Sequence, residues 1–331
     1  MIKFFKFLLL TISLFFSIQC FKPPVIAILA NPQPDNTNDA QLSRVNYKYV
    51  RWLEQNRAEV VVIHPWYSKE QIGDIVSKSN GLLWLGGDRD LLIGGQFETA
   101  AKYILEKVMD LFDNHNISVP LWGTCQGFEL LHILVADSLE VLDHFNSYNI
   151  QSPIELNQKV KSKMFADFSK IEISYLQNYN STAQFHNLGV GEKQYEDFPL
   201  LRNFFEISSF GYDLNGKKYI ASMESKRYPI FAVQFHPEMV SYTRGTSRGV
   251  PQSLEAIRVS QLLGDFFFKQ IFMNHNYMDL EDMMKYDHLN SFEKLPILED
   301  EYYFYRFEKK NKYVKEFTNM TDLSELKFLM K

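Results

Sequence analysis

Residues 119–131 read VPLWGTCQGFELL and place a cysteine flanked by glycines between an apolar strand and an amphipathic helix. The pattern of Gly123, Cys125 and Gly127 at such a junction is typical of a nucleophile elbow, a sharp turn that presents a reactive side chain. The turn brings backbone segments close together, so the neighbours of its central residue need to lack side-chain bulk. Unsatisfied N–H groups in the first helical turn would also favour the thiolate form of Cys125. Two interpretations remain open at this point, a nucleophile and an inert buried thiol.

Apolar runs alternate with amphipathic segments on the N-terminal side of this turn. Buried strands are predicted for four of the runs, at residues 25–30, 60–63, 81–85 and 119–122. Helices are predicted at residues 42–55, 68–78 and 97–114. Strands that are apolar throughout and alternate with helices favour a mostly parallel sheet with helices on both faces, a three-layer αβα sandwich. Ligands of such sheets bind at the carboxyl ends of the strands, which directs attention to Asn31, Gly86 to Asp88 and Gly123 to Phe128.

The predicted elbow also suggests how a developing negative charge would be stabilised. It aims the backbone N–H of Gln126 at the position where an attacked carbonyl oxygen would lie. A second donor would come from Gly86 and Gly87, which end a neighbouring predicted strand. Two glycines after a strand also form ordinary tight turns, and that alternative stays open.

The best candidate for a base is His236, which directly follows the apolar strand predicted at residues 230–235. Pro237 restricts His236 to extended conformations, and residues two apart in an extended segment point to the same side. Glu238 can therefore approach the imidazole and fix its tautomer. A histidine satisfied within a loop is the alternative. The nucleophile, base and orienter arrangement is favoured because both motifs follow strands of one predicted sheet.

Composition limits the classes of function. The chain has 331 residues, of which 46% are hydrophobic and 23% charged, the balance of a chain that buries a core. A formal net charge of −5 provides no basic surface for nucleic acid, so the partner is expected to be a small molecule or a protein.

The first twenty residues have the parts of a secretory signal peptide. Lys3 and Lys6 precede an apolar run at residues 7–18, which is too short to span a bilayer comfortably, and a small-residue exit follows. Residues 1–20 are therefore predicted to be cleaved, with no stable membrane insertion afterwards; an uncleaved anchor is the alternative. Of the two cysteines only Cys125 would remain, so no disulfide framework is expected. Acceptor triplets at Asn116, Asn180 and Asn319 predict a glycoprotein.

These motifs resemble the class I glutamine amidotransferases, and their context resembles one branch, the gamma-glutamyl hydrolases that trim folate polyglutamates. The resemblance covers residues 24–272. It is carried by residues 24–29, 49–54, 58–61, 80–83, Trp122 to Glu129, Phe185-His186 and Tyr228 to Glu238.

The resemblance implies a flavodoxin-like αβα sandwich, with a hydrolase domain at residues 21–274 and a C-terminal extension at residues 275–331. It implies a cysteine hydrolase of folyl poly-gamma-glutamates that uses no metal and no organic cofactor. It also implies a homodimer and a lysosomal, vacuolar or extracellular location. The roles that it carries over are Cys125 as nucleophile, His236 as general base and acid, Glu238 as orienter, the N–H groups of Gly87 and Gln126 as oxyanion hole, and Tyr49, Glu129 and His186 as substrate-cleft residues.

Departures from the family pattern and three rival functions stand beside this interpretation. Asn56-Arg57 replaces a usual glycine, Gln126 replaces a commoner leucine, and Asp88-Arg89-Asp90 and the start of the first helix are atypical. These differences bear on the contacts with the glutamate tail and leave the three catalytic positions intact. The rivals are a glutaminase that releases ammonia from glutamine, a hydrolase of other gamma-glutamyl compounds, and a non-catalytic binding protein on the same fold.

Overall fold

A computed structural model describes residues 22–33, 41–88, 91–243, 247–286, 295–297 and 300–307. The predicted signal peptide and Asn319 lie outside the described residues. The first half contains β1 (Val25–Leu29), β2 (Asn31–Gln33), β3 (Gln41–Asn46), α1 (Tyr47–Glu54), β4 (Glu59–Ile63), α2 (Lys69–Lys78), β5 (Gly81–Trp84), α3 (Gln96–His115), β6 (Leu121–Thr124) and α4 (Gln126–Ala136).

A 3₁₀ turn at Leu139–Val141 leads into the second half. It contains β7 (Asp143–Ser152), β8 (Glu155–Leu156), α5 (Lys170–Asn178), β9 (Thr182–Gly189), α6 (Glu192–Asp197), α7 (Pro199–Phe204), β10 (Phe205–Tyr212), β11 (Lys218–Ser225), β12 (Ile230–Val233), α8 (Pro237–Tyr242), α9 (Leu254–Phe272), α10 (Leu280–Lys285), β13 (Leu295–Ile297) and β14 (Asp300–Phe307).

The central sheet has eight strands in the order β4-β1-β5-β6-β12-β11-β10-β8. Strands β4, β1, β5, β6 and β12 are parallel, and β11, β10 and β8 continue the sheet by antiparallel pairing. Because β1, β5, β6 and β12 are consecutive neighbours, their carboxyl ends meet along one edge. The predicted mostly parallel sheet is confirmed, and its central edge carries the residues that follow those four strands.

Alternating side chains of the buried strands build two apolar layers. Val25, Ala27 and Leu29 of β1 belong to a core with α2, α3 and α4, whereas Ile26 and Ile28 belong to a core with α1 and α9. Successive side chains of a strand point to opposite faces, so a strand without polar residues requires helices on both sides. The three-layer αβα sandwich predicted from the sequence is therefore the fold.

The helix predicted at residues 42–55 begins later than expected. Residues 41–46 form β3, which pairs with β2 on one side and β14 on the other. Helix α1 starts at Tyr47, after Asn46 caps it by accepting a hydrogen bond from the Lys48 N–H at 3.0 Å. Pairing with a strand more than 250 residues away overrides the local helical spacing, and no local pattern reveals it.

The C-terminal residues join the sandwich at two places. Strand β14 pairs with β3 in a four-stranded sheet of order β13-β14-β3-β2. Helix α10 is tied to α2 by a salt bridge between Lys78 and Asp282 at 2.7 Å and by a hydrogen bond that the Tyr286 hydroxyl donates to Asp74. The boundary at residue 274 stays a prediction.

Among the described residues, no helix is both long and apolar enough to cross a bilayer.

Candidate active site

The turn between β6 and α4 holds Cys125 in a strained backbone conformation. Its φ of 50° and ψ of −106° lie in a region that residues with a Cβ rarely adopt. Such strain typically costs about 1–3 kcal/mol and persists only where the surroundings over-determine it. Here the Cys125 N–H donates to the Val233 carbonyl at 2.8 Å, and the Cys125 carbonyl accepts the Glu129 N–H at 2.9 Å. The side chain is buried and not disulfide-bonded.

The two glycines that flank the elbow are required by close backbone packing. A Cβ added to Gly127 would lie 2.6 Å from the carbonyl oxygen of Trp84, and one added to Gly123 would lie 3.0 Å from the Gly127 backbone. The nearest atoms are backbone atoms of buried elements, which cannot rotate away. The steric need for glycine predicted from the sequence is confirmed at both positions.

His236 and Glu238 form a buried pair at the end of β12. The His236 Nδ1 lies 2.7 Å from Glu238 Oε1, and the two residues are 4% and 0% exposed. The expected extended segment is absent, because Pro237 begins α8, a position that suits its fixed φ. Glu238 therefore reaches the imidazole from the first turn of a helix. The contact is the predicted one, whereas the predicted backbone geometry behind it was wrong.

Charge interactions couple this pair to the thiol. Burial alone would lower the pKa of His236, but the Glu238 carboxylate and Cys125 raise that pKa to about 10. Burial raises the pKa of the Cys125 thiol, and the neighbouring His236 opposes the rise. Both side chains border Gly86, where an added Cβ would lie 2.6 Å from His236 Cε1 and 3.2 Å from Cys125 Cβ. The imidazolium form of His236, held by Glu238, is thus the natural counter-ion of a thiolate.

The loop after β5 lies against the elbow, and the oxyanion hole expected there stays a prediction. A Cβ on Gly87 would be 2.6 Å from Gln126 Oε1, so the two residues proposed to supply N–H donors are direct neighbours. The Gly86 N–H donates to the Tyr49 hydroxyl at 2.8 Å, and the Gly86 carbonyl accepts from Asn31 Nδ2 at 2.8 Å. The loop is therefore held from both sides by side chains.

Tyr49 lies beside the His236–Glu238 pair. Its hydroxyl is 3.3 Å from His236 Nδ1, and the residue is 3% exposed. Burial and the Glu238 charge raise the pKa of Tyr49, which keeps the hydroxyl protonated. Its predicted place in the substrate cleft stays a prediction, while the structure shows a link between the loop after β5 and the His236–Glu238 pair.

Glu129 and His186 are both buried near the site. Glu129 accepts a hydrogen bond from Gln234 Nε2 at 3.0 Å, and burial raises its pKa to about 7. His186 donates from Nδ1 to the Leu188 carbonyl at 2.8 Å, and burial lowers its pKa to about 4, so the ring is neutral. The aromatic ring that faces His236, at 6.0 Å between centroids, belongs to Phe185. Their substrate-binding roles remain predictions.

Sequence reasoning did not assign contacts to Asn31, Phe185 or Gln234. Asn31 was recognisable only by its position after a strand, and Gln234 only by its place two residues before His236. The arrangement provides a buried thiol, an imidazole and a carboxylate that accepts from it, which fits acyl transfer through a covalent intermediate. Among the described residues, no cluster of side chains could hold a metal ion.

A strained cysteine elbow with a His-Glu pair on an αβα sandwich defines a class of cysteine-dependent acyl-transfer enzymes. Residues 40–248 match the family described as Glutamine amidotransferase class-I. The chain is 32% identical over 267 residues to gamma-glutamyl hydrolase B of Dictyostelium discoideum. The aligned residues cover 79% of this chain and 76% of that protein. It is 30% identical over 262 residues to the gamma-glutamyl hydrolase of Rattus norvegicus, with coverages of 78% and 81%.

A crystal structure of a putative GMP synthase protein from Thermoplasma acidophilum aligns with a TM-score of 0.47 at 10% identity, covering 76% of this chain and 98% of that one. On the family match and the relatives, the chain belongs to the class-I glutamine amidotransferase family and, within it, to the gamma-glutamyl hydrolases. It is an enzyme, a hydrolase.

The packing at the elbow predicts the effect of Gly127→Ala. The added methyl group meets the Trp84 backbone, so the turn has to open. We expect a loss of about 3 kcal/mol in the free energy of unfolding and a change in the rate of Cys125 alkylation. Urea unfolding and iodoacetamide labelling measure the two effects. Gly73→Ala is the matched control, because its methyl group meets only the far end of the Tyr103 side chain. Wild-type stability and reactivity in Gly127→Ala would contradict this account of the elbow.

Proposed function

We propose that the enzyme hydrolyses gamma-glutamyl amide bonds of folyl poly-gamma-glutamates, with Cys125 as nucleophile, His236 as general acid and base, and Glu238 as orienter. The observation that carries the proposal is the buried thiol at a strained elbow, next to an imidazole that a carboxylate holds at 2.7 Å. The names of the relatives supply the bond type, and the folate substrate class follows from the sequence resemblance.

The first half-reaction makes a thioester. The Cys125 thiolate attacks the amide carbon, a C–S bond forms, and the carbonyl π electrons move to oxygen. The N–H groups of Gly87 and Gln126 stabilise this oxyanion. When it collapses, the C–N bond breaks and the His236 imidazolium gives its proton to the leaving amine. The raised pKa of His236 favours the protonated form that this step needs.

The second half-reaction restores the enzyme. Neutral His236 accepts a proton from water as the water oxygen attacks the thioester carbon. The second tetrahedral species then collapses, the C–S bond breaks, and Cys125 leaves as thiolate while His236 is again imidazolium. One water is consumed, and the products are an amine and a carboxylic acid.

The substrate-cleft roles of Tyr49, Glu129 and His186 belong to the same proposal. The proposal for Tyr49 and Glu129 is supported by their burial and by their electrostatic interaction with Cys125. His186 is supported less directly, because its neighbour Phe185 is the residue that faces His236. The homodimer implied by the family resemblance is also part of the proposal.

The direct test compares wild type and Cys125→Ala on folate pentaglutamate, on its α-linked isomer and on glutamine, with products read by mass spectrometry. We expect loss of glutamate units from the γ-linked substrate alone, and a fall in kcat of at least about 10⁴-fold in Cys125→Ala. Turnover of glutamine alone would replace the proposal by the glutaminase function. Turnover of none of the three would refute the folate substrate and favour a hydrolase of other gamma-glutamyl compounds.

The role of Glu238 predicts a change in pH dependence. Removing its charge in Glu238→Gln keeps an acceptor near Nδ1 but destabilises the imidazolium, so His236 should lose its proton at lower pH. We expect the basic limb of the kcat/KM profile to move down by about one pH unit or more. Glu224→Gln is the matched control, since this buried carboxylate binds the loop at residues 162–164 instead. An unmoved limb in Glu238→Gln would remove Glu238 from the mechanism.

We also propose entry into the secretory pathway, cleavage of residues 1–20 and residence in a lysosome, vacuole or the medium. Asn116 and Asn180, two of the glycosylation acceptors, are exposed at the end of α3 and in the turn before β9. Expression in a eukaryotic cell should yield protein whose mass falls on treatment with an N-glycosidase and whose N terminus follows residue 20. An intact Met1 and an unchanged mass would place the protein outside this pathway.

A further inference from the structure

We propose that Asn31 is a positioning residue of the oxyanion hole. Its side-chain amide holds the peptide between Gly86 and Gly87 in the orientation that turns the Gly87 N–H toward the carbonyl attacked by Cys125. The inference rests on the proposed function in one respect, the use of Cys125 as a nucleophile toward a carbonyl carbon. It does not depend on which acyl compound is the substrate.

The contact itself is short and buried. Asn31 Nδ2 donates to the Gly86 carbonyl oxygen at 2.8 Å, and Asn31 is 5% exposed. A carbonyl oxygen can only accept, so the NH₂ end of the amide faces Gly86. The other end, Oδ1, is buried without a hydrogen-bond partner among the described residues. An unsatisfied buried acceptor reduces stability, so stability alone does not explain an asparagine at this position.

Peptide geometry converts this contact into control of the oxyanion donor. A peptide unit is planar and trans, so the Gly86 carbonyl and the Gly87 N–H point in opposite directions from one rigid plane. Holding the carbonyl oxygen toward Asn31 therefore directs the Gly87 N–H away from Asn31. The Gly87 Cα lies close to the side chains of Asn31 and Gln126. A Cβ added there would lie 2.5 Å from Asn31 Nδ2 and 2.6 Å from Gln126 Oε1.

Two consecutive glycines need such external support. No side chain fits at Gly86, where a Cβ would lie 2.6 Å from both His236 Cε1 and the Tyr49 hydroxyl. Glycine is also the residue with the greatest backbone freedom, so the loop cannot fix its own peptide planes. Asn31 holds the carbonyl of Gly86, and Tyr49 holds its N–H at 2.8 Å. Together they fix the peptide planes on both sides of Gly86.

Asn31 is itself held by a sheet that the C-terminal residues complete. It lies in β2 and pairs with Arg44 of β3, which in turn pairs with Phe304 of β14. The position of the amide therefore depends on backbone ladders and not on a free loop. Through this pairing, C-terminal strand β14 helps to hold Asn31 in position.

The test separates chemistry that needs an oxyanion hole from chemistry that does not. Acylation of Cys125 by p-nitrophenyl acetate passes through a tetrahedral oxyanion, whereas alkylation by iodoacetamide does not. Asn31→Leu keeps the approximate shape of the side chain, removes the donor and adds no charge. Because loss of one oxyanion donor costs about 10²–10³-fold in kcat, we expect misdirection of one to slow acylation about tenfold or more. Alkylation should stay within about twofold of wild type across the pH range.

The matched control is Asn80→Leu, which removes another buried amide, at the amino end of the central sheet, where Asn80 accepts the Val25 N–H at 2.9 Å. It should lower stability but leave the ratio of acylation to alkylation unchanged. With folate pentaglutamate, Asn31→Leu should lower kcat and leave KM unchanged.

Three results would overturn the role of Asn31: equal acylation in Asn31→Leu and wild type, a parallel fall of acylation and alkylation, or a wild-type thiol that is not acylated at all. A wild type that is acylated but does not hydrolyse folate pentaglutamate would instead refute the proposed substrate, and the acylation ratio would still decide the role of Asn31.

Discussion

The backbone strain at Cys125 is the constraint on which the site depends. A φ of 50° with ψ of −106° is held by the hydrogen bond from the Cys125 N–H to Val233 of the neighbouring strand β12 and by the contact of Gly127 with the Trp84 backbone of β5. These contacts lock the elbow to both neighbours of β6 in the sheet. The same neighbours end in the loop at Gly86 and Gly87 and in His236, so the packing that tolerates the strain also brings Cys125, this loop and His236 together.

Burial gives the site its electrostatic character. Cys125, His236 and Glu238 are each at most 4% exposed, so their charges interact with little screening by water. An isolated buried imidazole would be neutral, as His186 and His132 are, each with a pKa lowered to about 4 by burial. His236 differs because a carboxylate lies beside it. Among these three buried histidines, the pKa is thus set by whether a carboxylate lies beside the ring.

Much of this arrangement follows from the sequence, and the remainder depends on long-range pairing. Apolar runs predicted the parallel strands. Because Asn31, Gly86, Cys125 and His236 each follow one of these strands, they were expected at the carboxyl edge of the sheet. Two local interpretations failed. Residues 42–46 have helical spacing but pair as β3 with β14, and Glu238 approaches His236 from a helix and not from an extended segment. The hydrogen bond from Asn31 to Gly86 joins residues 55 positions apart, and the spacing of apolar residues along the chain does not predict such a contact.

In the proposed mechanism, hydrolysis proceeds through an acyl group on Cys125. Hydroxylamine added during turnover of folate pentaglutamate competes with water for such a thioester and yields a hydroxamate. We therefore expect a hydroxamate product whose share rises with hydroxylamine concentration. Hydrolysis that yields only the free carboxylate at every hydroxylamine concentration would contradict it, since water would then be attacking the amide directly.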